Sequence, residues 1–233
     1  MPRLALGALV ALILSAAPLA AQSMKPNTLT KEEKSQGFRL LFDGKTGKGW
    51  RGYRKKELPA GWQVIDGALT RVAEAGDIVS EGQYASFELR LQWMIEKGGN
   101  SGIMYRVSED MDDTYETGPE MQVLDDANNP EGKDPLVSAG ANYGLYPAAR
   151  GHVKPAGEWN DVRIVVKGPH VEHWLNSAKV VSYELGSDDW KARVADSKFK
   201  QWPRFGLNRS GHIALQDHDF RVAYRSIRLK ALP

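Results

Sequence analysis

Residues 86–95 read SFELRLQWMI, and apolar and polar side chains alternate along the whole stretch. Side chains of a β-strand point alternately to its two faces, so this alternation predicts a strand with one apolar face and one polar face. The apolar face would hold every second residue: Phe87, Leu89, Leu91, Trp93 and Ile95. Such a strand is typical of antiparallel sheets, which cover a core with one face and meet water with the other.

Short strands with turn signals recur on both sides of this stretch. The turn signals include Asp-Gly pairs and an Asn-Ser pair, which suit tight connections between antiparallel strands. Further strands are predicted at residues 37–44, 62–70, 103–107, 118–124, 162–167, 171–175, 179–183, 212–216 and 220–229. Apart from the N-terminal segment, helix is expected only as a single turn within residues 187–200. Many short strands with so little helix predict an all-β sandwich or jelly roll.

The N-terminal residues have the order of a secretory signal peptide. Arg3 precedes an apolar run over residues 4–14, and small residues follow up to Ala21. We expect residues 1–21 to be a signal peptide cleaved after Ala21, with a retained N-terminal anchor as the alternative. Residues 22–36 are expected to form a linker or a short helix, and residues 37–233 the folded domain. The mature protein is therefore expected to be periplasmic or secreted, with no membrane attachment after cleavage.

Composition narrows the classes of function. The chain of 233 residues contains no cysteine, which excludes disulfides, thiolate metal sites and cysteine nucleophiles. The formal net charge is +2, and both signs are interspersed without a basic stripe, so no nucleic-acid partner is expected. Seven Trp residues suit a protein that stacks aromatic rings on sugars, although buried Trp serves cores equally well.

Polar side chains line one face of the strand predicted within residues 118–126, GPEMQVLDD. Glu120 and Gln122 point to one face of that strand, opposite to its apolar residues. A β-bulge near Leu124 would return Asp125 to the same face, and bulges often lie beside active sites. This face would suit a hydroxyl-rich ligand on which a proton is moved, and an ordinary solvated face is the alternative.

Six motifs, in order along the chain, resemble those of the 3-keto-disaccharide hydrolase domain family. The motifs are FRLLFDGKT at 38–46, GNSGI at 99–103, GPEMQVLD at 118–125, KPAGEWN at 154–160, VEHWLN at 171–176 and GHIALQDH at 211–218. The resemblance implies an all-β, concanavalin A-like jelly-roll sandwich of two antiparallel sheets, with laminarinase-like architecture. It also implies cleavage of glycosides whose sugar carries a ketone at C3.

Two catalytic mechanisms suit this resemblance, and a third hypothesis is a protein that binds carbohydrate without catalysis. A conventional retaining glycosidase needs two carboxyl groups, which Glu120 and Asp125 would supply. A 3-keto-glycoside permits another route, because the ketone acidifies the C2 proton and the leaving group lies beta to the carbonyl. Elimination and rehydration then need a base, an oxyanion stabiliser and an acid. The alternatives are a retaining hydrolase and a non-catalytic carbohydrate-binding module.

Candidate site residues follow from these roles. Glu120 is the first choice as general acid or base, and Asp125 the second. His218, in a turn, and His173, which shares a face with apolar residues, are further catalytic candidates; a core role for His173 is equally open. The candidates for substrate binding are polar and aromatic side chains: Asn100, Arg106, Gln122, Tyr143, Tyr146 and Gln216.

No cofactor is predicted, and a divalent metal ion is left open. Glu120, Asp125, His173 and His218 would offer nitrogen and oxygen ligands, yet no close-spaced pair in the sequence demands a metal. The loop at residues 125–134 is rich in oxygen ligands but lacks the spacing of a known calcium loop. The expected partner is a small-molecule glycoside.

Overall fold

The computed structural model describes residues 25–233, so the predicted signal peptide at residues 1–21 lies outside the described residues. Helix α1, Lys31–Ser35, begins at Thr30, whose side-chain oxygen accepts from the Glu33 backbone N–H. The Glu33 side chain in turn accepts from the Arg228 guanidinium at 2.6 Å. This contact anchors α1 to the domain, so this part of the predicted linker segment 22–36 packs against the sheets.

Thirteen strands form almost all the remaining regular structure of the described residues. They are β1 Arg39–Leu40, β2 Trp50–Gly52, β3 Trp62–Ile65, β4 Ala68–Arg71, β5 Ile78–Tyr84, β6 Phe87–Ile95, β7 Asn100–Val107, β8 Glu120–Leu124, β9 Asn160–Lys167, β10 His170–Leu175, β11 Ala178–Glu184, β12 Gly211–Leu215 and β13 Val222–Ala231. Helix α2, Asp188–Asp196, and short 3₁₀ helices at Thr114–Glu116, Pro130–Lys133 and Lys198–Gln201 complete the set.

The strands form two antiparallel sheets. The larger sheet has eight strands in the order β11-β10-β9-β6-β13-β4-β3, with β1 paired to β13. The smaller sheet has the order β2-β5-β12-β7-β8. Neighbours in space are mostly distant in sequence, as a jelly roll requires. The predicted all-β, two-sheet jelly-roll sandwich is confirmed.

The apolar faces of the two sheets meet in one core. The alternating residues of β6, Phe87 to Ile95, are buried as predicted and face the smaller sheet. The smaller sheet departs from simple alternation, because β7 and β8 are buried at every position. Segments that include Tyr115, Lys198 and Phe199 cover its outer face, and residues 140–143 pair along the free edge of β8. A polar cavity lies beneath these coverings.

The helical content between β11 and β12 exceeds the single turn expected from the sequence. Ser187 caps α2 through its side chain, which accepts from the Trp190 backbone N–H. Trp190 is buried against Tyr183 and Phe205, and this packing stabilises the helix. Across residues 25–233, neither helix has the length and apolarity needed to cross a bilayer.

His173 lies in this core and is fully buried. Its Nδ1–H donates to the Gly140 carbonyl oxygen at 3.0 Å, since a carbonyl can only accept. Nε2 therefore accepts from the Tyr105 hydroxyl at 2.9 Å, and Tyr183 binds Tyr105 in turn. Both ring nitrogens are satisfied inside the core, so this position corrects the catalytic role considered for His173.

Acid should destabilise the fold through His173. Burial lowers the pKa of His173 to about 4, below the ordinary histidine value. Its contribution to stability is therefore complete above pH ~6.5, the unfolded value, and is lost as pH falls towards about 4, roughly 3 kcal/mol in all. Urea unfolding at pH 7 and pH 4 should show this loss in the wild type and a smaller one in His173→Gln. An equal loss in both proteins would contradict the assignment.

Candidate functional site

The Glu120 cavity lies on the outer face of the smaller sheet, where β7 begins and β12 ends. It encloses about 140 Å³. Its walls combine amide, carboxyl, amine, imidazole and aromatic side chains: Asn100, Tyr115, Glu120, Gln122, Tyr143, Lys198, Phe199, Gln216 and His218.

Strand register places the floor of the cavity. Gln122 of β8 pairs with Gly102 of β7, and Glu120 pairs with Met104, so both polar side chains share one face. The Gln216 backbone N–H donates to the Gly102 carbonyl oxygen at 3.0 Å, which brings the end of β12 beside them. Three neighbouring strands thus present polar groups to the same space.

The Glu120 carboxyl group is the acid on this floor. It lies over Gly102, where a Cβ atom would meet the Glu120 Cδ at 2.6 Å. Within residues 25–233, no hydrogen-bond partner holds the carboxyl group, although Glu120 is only 7% exposed. Burial, helped by the charge of Asp77, raises the pKa of Glu120 to about 8, although Lys198 acts in the opposite direction. At neutral pH the carboxyl group is therefore mostly protonated.

Unpaired amide groups lie beside this acid. Both amide atoms of Gln122 are buried without a partner among the described residues, and so is Oδ1 of Asn100. Asn100 Nδ2 donates to Glu131 at 3.2 Å. Buried amides without partners are uncommon in proteins, and here they line a cavity. They offer donors and acceptors to a hydroxyl-rich ligand.

Aromatic and basic side chains form the roof. Lys198, in the 3₁₀ helix Lys198–Gln201, holds its Nζ 4.5 Å from the ring centre of Tyr143. The Tyr143 backbone N–H donates to the Glu120 carbonyl oxygen at 3.1 Å, which fixes this loop beside the free edge of β8. Tyr115 packs edge-on against Trp202, with ring centres 5.3 Å apart. The roof therefore places one cation and flat apolar rings above the acid.

A second cavity of about 320 Å³ adjoins the first and shares Tyr115, Gln216 and His218 with it. Asp77 lines this neighbour and accepts from the Thr114 hydroxyl and the Asp217 backbone N–H. Burial raises the pKa of Asp77 to about 6. His218 lies exposed at the rim between the two cavities, so together they form a groove with Glu120 at one end and Asp77 at the other.

Six predicted site residues meet in the Glu120 cavity: Glu120, His218, Asn100, Gln122, Tyr143 and Gln216. Asp125 does not join them. The pairing of β7 with β8 is regular from Met104 to Asn100, so the predicted bulge is absent. The Asp125 carboxylate instead accepts from the Gly98 backbone N–H and the Asn128 side chain, each at 2.8 Å, and stabilises a turn.

Arg106 and Tyr146 also lie away from the cavity. Arg106 donates to the carbonyl oxygens of Ala85 and Gly168, near the far end of β7. Tyr146 stacks on Tyr183, with ring centres 4.8 Å apart, and belongs to the core. Neither is placed to contact a ligand bound at Glu120, which corrects their predicted role in substrate binding.

Contributors to the groove that were not predicted include Tyr115, Lys198, Phe199 and Asp77. Three of them come from short helices packed over the sheet, and their sequence surroundings look like ordinary polar loops. The Asp77 signal was weak, because a lone acid before a strand is common. Only the register of β5, β12 and β7 shows that these segments converge.

The proposed metal ligands do not assemble. Within residues 25–233, no group of three or more His, Asp or Glu side chains is placed to hold a metal ion. His173 and Asp125 are committed to the contacts described above. In the loop at residues 125–134 considered for calcium, Asp126 accepts from the Ala139 backbone N–H at 2.8 Å.

A jelly roll with a polar groove under aromatic side chains on one sheet is typical of carbohydrate-active proteins. The chain belongs to the 3-keto-alpha-glucoside-1,2-lyase-like domain family, whose model matches residues 37–230. This match confirms the family indicated by the six sequence motifs. Membership in this family makes the protein a carbohydrate-active enzyme of glycoside hydrolase type.

Individual relatives agree with this family. A 3-keto-disaccharide hydrolase of Bacteroides thetaiotaomicron is 36% identical over 230 residues, covering 85% of this chain and 79% of the relative. A crystal structure from Parabacteroides distasonis, provisionally described as a glycosyl hydrolase, has 38% identity and a TM-score of 0.84, covering 90% of this chain and 100% of that one. A Bacillus subtilis protein with a galectin-like fold, at 11% identity and a TM-score of 0.51, covers 89% of this chain and 94% of its own, and shows the fold alone.

Proposed function

We propose that this enzyme cleaves the glycosidic bond of 3-keto-glycosides by elimination and rehydration. The observation that carries the proposal is the single carboxyl group of the Glu120 cavity, buried and mostly protonated at neutral pH. A retaining glycosidase needs two carboxyl groups about 5 Å apart on either side of the bond. Gln122 is an amide and Asp125 is bound in a turn. Asp77 lies in the adjoining cavity, where its carboxylate accepts hydrogen bonds from Thr114 and Asp217. These positions support a route without a carboxylate nucleophile.

The bond changes of the proposed route balance without a cofactor. A base removes the proton from C2, and its electron pair forms a C1–C2 double bond as the C1–O bond breaks. The 3-ketone makes this proton acidic because negative charge spreads onto O3 as an enolate. The departing oxygen takes a proton from an acid, and water then adds across C1 and C2 to give the free 3-keto sugar.

Residues of the groove supply each role. Glu120 is the acid, because burial keeps it protonated at neutral pH. His218 at the rim is the base, since it lines both cavities and a neutral imidazole nitrogen can accept the C2 proton. The positive charge of Lys198 stabilises the negative charge that develops on O3. The unpaired amide atoms of Gln122 bind sugar hydroxyls. Tyr115 and Phe199 provide apolar surface for the sugar ring.

The proposal includes the location at which the protein acts. A glycoside is a small molecule that reaches the groove from solvent. The signal-peptide pattern at residues 1–21 supports action in the periplasm or outside the cell.

Paired substrates test the proposed function. We expect purified protein to cleave methyl 3-keto-glucosides and to leave the matching methyl glucosides intact, with both anomers assayed. Elimination cannot begin without the ketone, because nothing else acidifies the C2 proton. Cleavage of the plain glucosides at a comparable rate would support a conventional hydrolase instead. Binding of the keto form without cleavage would favour a carbohydrate-binding module.

A further inference from the structure

A separate cavity of about 480 Å³ lies at the end of the sandwich where β7 ends and β12 begins. It shares no lining residue with the Glu120 cavity. We call it the Arg106 pocket, and its walls relevant here are Arg106, Pro169, Leu185, Leu207 and Arg209. Its volume falls in the range of pockets that bind small molecules.

Arg106 is a buried cation without a counter-ion. It is 7% exposed, and its Nε and Nη2 atoms donate to two carbonyl oxygens, those of Ala85 and Gly168. Within residues 25–233, no carboxylate lies within 4 Å of the guanidinium, and Nη1 has no hydrogen-bond acceptor. Burial lowers the pKa of Arg106, the phenols of Tyr105 and Tyr183 act in the opposite direction, and no carboxylate contributes.

A buried charge of this kind is costly unless an opposite charge or further hydrogen bonds satisfy it. Two carbonyl oxygens explain why the guanidinium is held in place, but they leave its charge unbalanced. Nη1 is not among the fully buried unpaired atoms, so it faces the open space of the pocket. The group that would complete Arg106 is therefore an anion entering from that space.

The rest of the pocket limits the kind of anion. Arg209 lies at the rim and adds a second guanidinium. Leu207 is 62% exposed, an unusual state for a large apolar side chain, and it lines the same pocket as Leu185 and Pro169. Guanidinium N–H groups form charge-assisted hydrogen bonds with carboxylates, and the apolar wall suits a hydrocarbon body.

We propose that the Arg106 pocket binds a small organic carboxylate. The carboxylate lies between Arg106 Nη1 and Arg209, and the apolar body lies against Leu185 and Leu207. The site is independent of glycoside cleavage, because the groove around Glu120 lies on another part of the sheet.

Calorimetric titration of the whole protein with hexanoate tests this site. We expect one saturable site per chain, and about tenfold weaker binding of the neutral isostere hexanamide, since the charge-assisted hydrogen bonds are lost. Inorganic phosphate should bind more weakly than hexanoate, because it lacks an apolar body. Equal binding of hexanoate and hexanamide, tighter binding of phosphate, or no saturable site would each overturn the proposal.

Variants locate the site on the chain. Arg209→Ala and Leu207→Ser change exposed side chains, and each should weaken hexanoate binding by about tenfold while leaving folding intact. Arg221→Ala removes the same charge from another exposed position and should bind like the wild type. Arg106→Met should abolish binding if it folds; if it does not fold, the Arg209 and Leu207 variants decide. Wild-type affinity in both of those variants would overturn the assignment.

Discussion

Replacement of Glu120 by Gln should lower kcat on methyl 3-keto-glucoside by about a hundredfold or more, the usual range for losing a general acid. The amide keeps the size of the side chain but cannot give a proton to the departing oxygen. The side chain is buried and its carboxyl group has no hydrogen-bond partner in the described chain, so folding should change little. Steady-state kinetics and a thermal melt of the same preparation measure both effects.

Substrates with different leaving groups distinguish a general acid from a general base at position 120. Nitrophenolate departs without protonation, so Glu120→Gln should lose less than about tenfold on the 4-nitrophenyl 3-keto-glucoside. Activity of the wild type on methyl 3-keto-glucoside should fall as pH rises through about 8, where Glu120 loses its proton. Glu158→Gln makes the same change at an exposed position outside the groove and should behave as wild type. An equal loss on both substrates would contradict the acid role.

Replacement of Gly102 by Ala should also lower kcat by about a hundredfold, although the added group is a single methyl. The new Cβ would lie 2.6 Å from the Glu120 Cδ, so the carboxyl group must move. A displacement near 1 Å is enough to spoil proton transfer. Stability should change little, because the displaced atoms are the end of a flexible side chain facing a cavity. Kinetics and thermal melts again provide the measurement.

A double-variant cycle tests whether Gly102 acts through Glu120. If it does, adding Gly102→Ala to Glu120→Gln should cost little further activity, because the acid is already lost. Full additivity of the two losses would show that Gly102→Ala damages the enzyme in another way. A crystal structure of the single variant should show Glu120 in a new rotamer.

The local sequence pattern predicted the strands, because the direction of each side chain from a strand depends only on its position along that strand. Strict alternation in residues 86–95 can satisfy only one arrangement, a strand with Phe87 to Ile95 in the core. The polar face of β8 was predicted in the same way, and Glu120 and Gln122 do line the cavity. Asn100 and His218 were predicted as candidates for their side-chain chemistry, and the structure places both in the same cavity.

Other parts of the site depend on packing between distant segments. Asp125 was expected to return to the face of Glu120 through a bulge, but regular pairing with β7 ends the strand before it. Lys198 reaches the cavity from a helix 78 positions further along the chain than Glu120, and no local pattern marks it. The sequence could not decide between a catalytic and a core role for His173. Alternation predicts which face of the strand carries its side chain, but not that the Tyr105 hydroxyl binds its ring.

Cleavage of a 3-keto-glycoside in deuterated water tests the central claim most directly. Abstraction and return of the C2 proton should leave deuterium at C2 of the released sugar, as seen by NMR or mass spectrometry, with product and label formed at the same rate. His218→Asn should lose both cleavage and label, whereas His152→Asn should lose neither. Rapid cleavage with protium retained at C2 would contradict elimination and the site assignment built on it.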